Sequence, residues 1–278
     1  GVEFAGALLE LLALVLGRDY PALAPELGRV VLVEGADRLL PAFPEQLGRY
    51  AQRVLTGRGA QVAISTMVRD ASDTGVTLSD GSSVQTRTIV WSAGIRATEL
   101  EGASRLASER HGRLPVDDRL RLAGHEDVFA IGDLAAAHDG GHELPMVSPP
   151  AMQGGRYVAR AIAARAAGER PPGPFRYRDK GSMAVIGRNA AVASIGPLRL
   201  TGRLGWLTWL TVHIWYLIGF RNRVAVVLGW AWNYVQRDRP IRMIVSVDPD
   251  PLVDGTEAAD AQAPAASGAS DDAGRVTA

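Results

Sequence analysis

Apolar residues open the chain at helical spacing. Val2, Ala5, Leu9, Leu12 and Leu16 stand three or four apart, which predicts a helix over residues 1–16. Pro21 and Pro25 break the pattern and make residues 17–28 a loop. The run Val-Val-Leu-Val at 30–33 has the length and composition of a buried parallel strand. Residues 43–55 predict a second helix and 61–64 a second strand. Apolar residues at 76–78 and 84–86 flank Asp80-Gly81, a hairpin signal. Residues 88–91 predict another strand, entering Ala93-Gly94, and 128–131 a buried strand ending at Gly132-Asp133. A helix rich in small residues is expected over 151–167. Pro171-Pro172-Gly173-Pro174 then breaks the chain, short strand patterns fill 177–195, and 204–234 is an aromatic, largely apolar segment. Residues 241–247 look strand-like, and the Ala, Asp, Ser, Gly and Pro that follow predict a disordered tail. Strands alternating with helices point to a doubly wound α/β fold.

Composition narrows the chemistry. With 278 residues, 47% of them hydrophobic, the chain has ample material for one large or two smaller packed units. Thirty basic residues balance thirty acidic ones, which gives no reason to propose nucleic acid as a partner. Zero cysteines exclude a disulfide scaffold, a Cys-based zinc site, an iron–sulfur cluster and a thiol nucleophile within these residues. No metal site is expected. The balance is local rather than uniform. Between 196 and 247 seven arginines face a single aspartate, and between 248 and 278 seven acids face a single arginine. Five of the six tryptophans (206, 209, 215, 230 and 232) lie in the basic segment, and Lys180 is the one lysine of the chain.

Two motifs suggest nucleotide chemistry. Gly1-Val2-Glu3-Phe4-Ala5-Gly6 has the form of the last glycine of a G-x-G-x-x-G turn and the helix it launches. Free N–H groups and the dipole at such an N-terminus favour a pyrophosphate. Glu34, after the strand at 30–33, stands where a carboxylate would accept hydrogen bonds from both ribose hydroxyls and repel a 2′-phosphate. The second motif is Gly132-Asp133 at a strand end. An aspartate there can bond the ribitol of FAD, and Ala151-Met152-Gln153-Gly154-Gly155 starts a helix that can approach a flavin ring. Each alone is equally compatible with an ordinary helix start or turn.

In combination the segments are more specific. G-V-E-F-A-G-A-L-L-E-L, V-V-L-V-E-G-A-D-R-L-L-P, T-I-V-W-S-A-G-I, V-F-A-I-G-D, A-M-Q-G-G-R-Y-V-A, Y-R-D-K-G-S-M-A-V-I-G and H-I-W-Y-L-I-G-F-R-N-R occur in this order. The sequence closely resembles the type II, non-proton-pumping NADH dehydrogenases, flavoproteins with two dinucleotide-binding folds, from Gly1 to about Val247. The resemblance implies hydride transfer from NADH to FAD and two-electron reduction of a membrane quinone. It places Gly1, Glu34, Ala93 and Gly94 at NADH, and Gly132, Asp133, Met152 and Gln153 at FAD. Glu3, Gln153 and Lys180 become the candidates for catalysis. One departure is Ser148-Pro149 where the family often has Ala-Gln, which removes the first of two glutamines near the quinone.

The resemblance also implies an incomplete chain, N-terminally truncated. The FAD-binding half with its own glycine-rich turn, and the first strand of the NADH fold, would precede Gly1. The expected layout is then an NADH-binding domain over 1–104 and the closing part of an FAD-binding domain over 105–173. A C-terminal region with a membrane-surface anchor follows over 174–247, then a disordered tail over 248–278. Such a piece alone is expected to be inactive. The longest stretch of the aromatic segment without full-time charges, residues 204–220, spans about 26 Å as a helix, short of the ~30 Å hydrocarbon core. Its tryptophans and flanking arginines predict attachment to an anionic membrane surface without crossing, at the cytoplasmic face. A homodimer is compatible with the resemblance. The open alternatives are another pyridine-nucleotide flavoprotein reductase, such as a ferredoxin reductase, and a non-catalytic membrane-associated fragment.

Overall fold

A computed structural model describes residues 1–16, 21–22, 28–98 and 110–236. The first helix, α1 (Val2–Leu11), buries Val2, Ala5, Gly6 and Leu9 along one face and continues into a π-helical stretch over Leu12–Leu16. Strand β1 (Val31–Val33) pairs in parallel with β2 (Gln61–Ala63), Val31 opposite Gln61 and Val33 opposite Ala63. Between them lies α2 (Glu45–Gly57), which starts after Pro44, whose φ of −51° already suits a helix. It buries Leu47, Gly48, Ala51 and Leu55, while Glu45 and Arg49 on its outer face pair at 3.0 Å one turn apart.

A three-stranded antiparallel sheet follows: β3 (Val68–Ser72), β4 (Gly75–Leu78) and β5 (Ser83–Gln85). Asp80-Gly81 makes the expected turn, with Gly81 at φ +85°. Short pairs come next, β6 (Leu114–Pro115) parallel to β7 (Ala135–Ala136), then β8 (His138–Asp139) antiparallel to β9 (His142–Glu143). Helix α3 (Ser148–Ala166) begins Ser-Pro-Pro, prolines being tolerated in a first turn whose N–H groups have no intrahelical acceptor. The C-terminal region holds a second antiparallel sheet, β10 (Ser182–Gly187), β11 (Ala190–Ile195) and β12 (Leu198–Thr201). Two helices complete it, α4 (Gly202–Tyr216) and α5 (Phe220–Gln236).

Two hydrophobic cores organise these elements. One joins Val2, Ala5 and Leu9 of α1 and Leu47, Ala51 and Leu55 of α2 to Ala184, Ile186 and Val192 of the β10–β12 sheet. The other gathers Leu114, Leu120, Leu122, Ala135, Leu144, Tyr157, Val158 and Phe175. The first core thus fastens the C-terminal sheet directly onto the N-terminal helix.

The architecture is mixed α/β, and two expectations need correction. Residues 88–91 form no strand, and Ile89, Val90 and Trp91 are 44, 48 and 68% exposed. Residues 128–131 make no ladder either. Phe129 forms an isolated antiparallel bridge to Arg121 instead. The physical reason is shared: an apolar strand needs a neighbour to take its N–H and C=O groups, and no parallel neighbour stands beside either run among the described residues. The parallel pairs therefore stop at two strands each. The strand expected at 241–247 and the tail at 248–278 lie outside the described residues.

Gly6 sets how closely α1 approaches β10. A Cβ there would lie 2.1 Å from the carbonyl oxygen of Ile186, a main-chain atom in a fully packed strand. Gly6→Ala gains about 1 kcal/mol of helix propensity, but the clash forces α1 off the sheet at a cost of about 1–3 kcal/mol. The expected net result is destabilisation, read as a lower denaturant midpoint. An unchanged or higher midpoint would show that the contact is slack.

Candidate functional site

The chain start meets Leu32 of β1 and Ser92 at the N-terminus of α1, and the 34–38 turn follows β1. Gly1 precedes the helix and accepts its first hydrogen bond, from Ala5 N at 2.8 Å. A Cβ at Gly1 would sit 3.1 Å from Ser92 Oγ and 3.5 Å from Leu32 Cδ1, so the glycine keeps this corner open without displacing the serine side chain. Glu34 follows β1 directly. Its main chain bonds Ala63 and Thr66, and its carboxylate accepts from Ala36 N at 3.0 Å. Arg38 turns to the carbonyl of Pro41 at 3.2 Å and to Asp37 at 3.7 Å. Ala93 and Gly94 lie exposed in the same stretch as Ser92, with Gly94 at φ +110°.

The second place is a tight turn against α3. Ile131 is extended, Gly132 takes φ +64°, and Gly132–Leu134 closes a single 3₁₀ turn with Asp133 exposed. A Cβ at Gly132 would come within 3.2 Å of the Ala151 side chain, in the first turn of α3. Left-handed φ and close approach together require glycine. The turn thus brings Gly132 and Asp133 to the start of the helix that carries Met152 and Gln153. Met152 is 39% exposed. The dipole of α3 favours an anionic group at this end, although Pro149 and Pro150 leave its first turn with fewer N–H donors than that of α1.

The remaining expected residues attach to one extended stretch, residues 176–188. Asp139 accepts from Arg176 Nη1 and from Tyr177 N, both at 2.9 Å. Gln153 bonds Arg178 twice, donating Nε2 to its carbonyl and accepting its N–H at Oε1, both at 3.0 Å. Lys180 Nζ donates to Tyr216 Oη at 2.8 Å. Glu3 Oε1 accepts from Val185 N at 2.9 Å. Arg58 donates to the carbonyls of Ile186 at 3.2 Å and Arg188 at 2.8 Å and pairs with Glu10 at 2.9 Å, and Glu10 in turn accepts from Arg188 N. Glu3, Gln153 and Lys180, scattered over the sequence, are therefore joined through this stretch.

Sequence reasoning did not single out Asp139, Tyr216, Glu10 or Arg58. Their partners are mostly main-chain atoms far away in sequence, which leave no motif. The guanidinium of Arg176 and the N–H of Tyr177 hold the Asp139 carboxyl below the ordinary carboxylate value of 3.8. The described residues contain no cluster of three or more His, Cys, Asp or Glu able to hold a metal.

Helices α4 and α5 pack on the core at one end only. Gly205 lies against the carbonyl of Ala191, which a Cβ would approach to 2.6 Å. Arg188 stacks on Tyr234 at 4.0 Å, and Trp209 and Trp230 stack across the pair at 6.1 Å. The turn between the helices projects Trp215, Ile218 and Phe220, 71, 88 and 80% exposed. Among the described residues no helix is long and apolar enough to cross a membrane.

Two glycine-lined helix starts on one mixed α/β chain are the pattern of a dinucleotide-dependent oxidoreductase, and the comparisons agree. The chain belongs to the pyridine nucleotide-disulphide oxidoreductase family, whose profile matches residues 1–164. Within it, the chain is 36% identical over 249 residues to the type II NADH:quinone oxidoreductase Ndh of Mycobacterium tuberculosis, which covers 86% of this chain and 53% of that protein. It is 28% identical over 253 residues to the Arabidopsis thaliana internal alternative NAD(P)H-ubiquinone oxidoreductase A1, covering 84% of this chain and 49% of the relative. The chain spans about half the length of the curated relatives it matches. The Plasmodium falciparum NDH2 structure in complex with NADH shares the fold, with a TM-score of 0.75 at 15% identity over 84% of this chain and 63% of that one. The resemblance to type II NADH dehydrogenases is borne out by these relatives.

Asp139 gives the site a pH dependence. Its folded pKa is depressed, so its contribution to stability is present above the unfolded value and is lost as pH falls through the folded value, below 3.8. Asp139→Asn should flatten the loss of stability in this acid range and release Arg176. Equilibrium unfolding of both proteins between pH 5 and about pH 2.5 measures the slope. Identical slopes would remove Asp139 from the network.

Proposed function

We propose that this chain is the nicotinamide- and quinone-facing part of a type II NADH:quinone oxidoreductase, passing electrons from NADH through FAD to a membrane quinone without pumping protons. The observation that carries the reading is the presence on one chain of two glycine-cornered helix starts, Gly1 before α1 and Gly132 in the turn against the first turn of α3. The family's relatives named for this activity support it. The chain has no cysteine, so the disulphide chemistry in the family's name finds no thiol in these 278 residues.

The residues fit the groups this activity needs. At α1 the open corner formed by Gly1, Leu32 and Ser92 suits a pyrophosphate, and Glu34, already oriented by Ala36 N, suits a ribose diol. Ala93 and Gly94 border the same corner. At α3, Gly132 and Asp133 would hold the ribitol and pyrophosphate side of FAD, and Met152 the side of the ring. When bound, FAD supplies a two-electron acceptor for the nicotinamide hydride and a two-electron donor for quinone. The chain's own contribution is orientation. Residues 1–104 would hold NADH and residues 105–173 close the FAD site, with Glu3 and Gln153, one from each part, tied to the same 176–188 stretch that carries Lys180. Glu34 meets a 2′-phosphate with like charge, worth at least about 1 kcal/mol at ~4 Å even in water. Arg38 is turned to Pro41 and Asp37 and offsets little of it. NADH is therefore the preferred donor.

Helices α4 and α5 attach the protein to the cytoplasmic face of the membrane as an interfacial pair. They are 15 and 17 residues long, and their connecting turn exposes large apolar side chains between Arg203 and the Arg221/Arg223 pair. This places the apolar acceptor at the membrane and the nicotinamide on the aqueous side.

In the full-length protein, Asp133→Ala should abolish flavin retention and NADH oxidation together. Full flavin occupancy in that variant would overturn the FAD assignment. Comparable specificity constants for NADH and NADPH would overturn the role of Glu34. Replacing Trp215, Ile218 and Phe220 together by Ser should cut cosedimentation with phosphatidylglycerol-containing vesicles at least tenfold while leaving folding intact, since all three are exposed. Unchanged sedimentation would remove the hairpin as the anchor.

A further inference from the structure

Arg113 is the one buried charged residue among the described residues, 4% exposed, and nothing in the reading above uses it. Its guanidinium stands where three short segments cross. Nη2 donates to the carbonyl of Ala135, and Nη1 donates to the carbonyl of Leu144 at 3.1 Å and to Glu143 Oε1 at 2.6 Å. Ala135 directly follows the Gly132–Leu134 turn, and its N–H closes that turn onto Gly132 O. Leu144 lies just before α3, and its own N–H bonds Ala137 O at 2.8 Å. One side chain thus holds both ends of residues 135–144, the segment that joins the turn bearing Asp133 to the helix bearing Met152 and Gln153. We propose that Arg113 is a positioning residue for the flavin site, fixing the Asp133 turn in register with the start of α3. The proposal rests on the FAD assignment of Asp133 and says what holds that residue in place.

Three observations carry it. The first is how short the other supports of the turn are. Residues 128–131 enter it with an isolated bridge, Phe129 to Arg121, and the exit is a two-residue ladder of Leu114–Pro115 against Ala135–Ala136. Asp133 is exposed, so the main chain beneath it sets its place rather than packing around it. A buried guanidinium adds three charge-assisted hydrogen bonds at that exit. The second is energetic. A buried ion pair is weak evidence for stability, because apolar residues of similar volume often serve as well. Here the Nε–H is also buried without a partner among the described residues, which adds a desolvation cost. Stability alone therefore does not explain an arginine at this place. The third is shape. A rigid planar fork reaches Ala135 with one nitrogen and Leu144 and Glu143 with the other, at a fixed angle that an ammonium cannot reproduce.

A double-mutant cycle on FAD affinity tests this in the full-length protein, read as quenching of flavin fluorescence when apoprotein is titrated with FAD. Arg113→Lys should weaken binding about tenfold, the loss expected for one charge-assisted hydrogen bond, and Asp133→Asn at least as much. Because Arg113 acts through the Asp133 turn, the double variant should bind no more than about twofold worse than Asp133→Asn alone. A merely structural arginine lowers the melting temperature but leaves the two losses multiplicative, about a hundredfold together, and that result would overturn the proposal. If Arg113→Lys does not fold, Glu143→Ala replaces it, since the Glu143 side chain is 36% exposed. Glu143→Ala releases Nη1 and should weaken FAD binding about threefold, again with no further loss on top of Asp133→Asn. Wild-type FAD affinity in Asp133→Asn would remove the FAD assignment and the role of Arg113 with it. Weakened binding in Asp133→Asn beside an unaffected Arg113→Lys would keep the assignment and remove only the positioning role.

Discussion

One stretch of main chain, residues 176–188, holds the described part of this protein together. Side chains from five separate places reach into it: Asp139 at Arg176 and Tyr177, Gln153 at Arg178, Tyr216 at Lys180, Glu3 at Val185, and Arg58 with Glu10 at Ile186 and Arg188. Most are polar side chains bonding main-chain groups that β10 does not use for its own pairing. Such exposed or part-buried bonds are worth only about 1 kcal/mol each net. Their number fixes the path of the stretch and so the relative positions of α1, α2, α3 and α4. Apolar packing reinforces this where Gly6 and Gly205 let α1 and α4 come into contact with the backbone of the β10–β12 sheet.

Elements whose pattern could be satisfied locally were legible in the sequence. The helical spacing of Val2, Ala5 and Leu9, the Asp80-Gly81 turn and the small-residue helix after Pro150 all appear where the pattern puts them, within a few residues. Strand β3 was missed because Val68-Arg-Asp-Ala-Ser is almost wholly exposed and shows no alternation. The runs at 88–91 and 128–131 were overread for the opposite reason. Their residues are strand-like, but a strand is a property of a pair, and periodicity says nothing about whether the neighbour is present.

The site divides along the same line. Gly132 was readable because its left-handed φ and close approach to Ala151 demand one residue type, and Gly1 because it opens a helix with the glycine-turn pattern. Glu3, Gln153 and Lys180 were readable only through resemblance, and what they touch was not readable at all. Val185 is 182 residues from Glu3, and Arg178 is 25 from Gln153. A main-chain N–H or C=O looks alike at every position in a sequence, so half of each such bond carries no signal.

The exposed apolar residues separate into two physical kinds, and the distinction decides which surface can meet lipid. In α4 and α5 the main-chain groups bond within each helix, so Trp215, Ile218 and Phe220 can enter an apolar medium without dragging unpaired N–H or C=O groups with them; the few orphan groups lie at the turn, where Asn222 Nδ2 bonds Ile218 O and Arg223 Nε bonds Leu217 O. Ile89, Val90 and Trp91 are as apolar, but their main chain belongs to no helix and no sheet. Sunk in hydrocarbon, each unpaired group would cost several kcal/mol, on the order of what one buried aromatic side chain returns. Such a main chain can enter an apolar setting only where other polar groups pair with its N–H and C=O groups. Hydropathy ranks the two surfaces together; hydrogen bonding separates them, because only the helical one has its main-chain groups already paired.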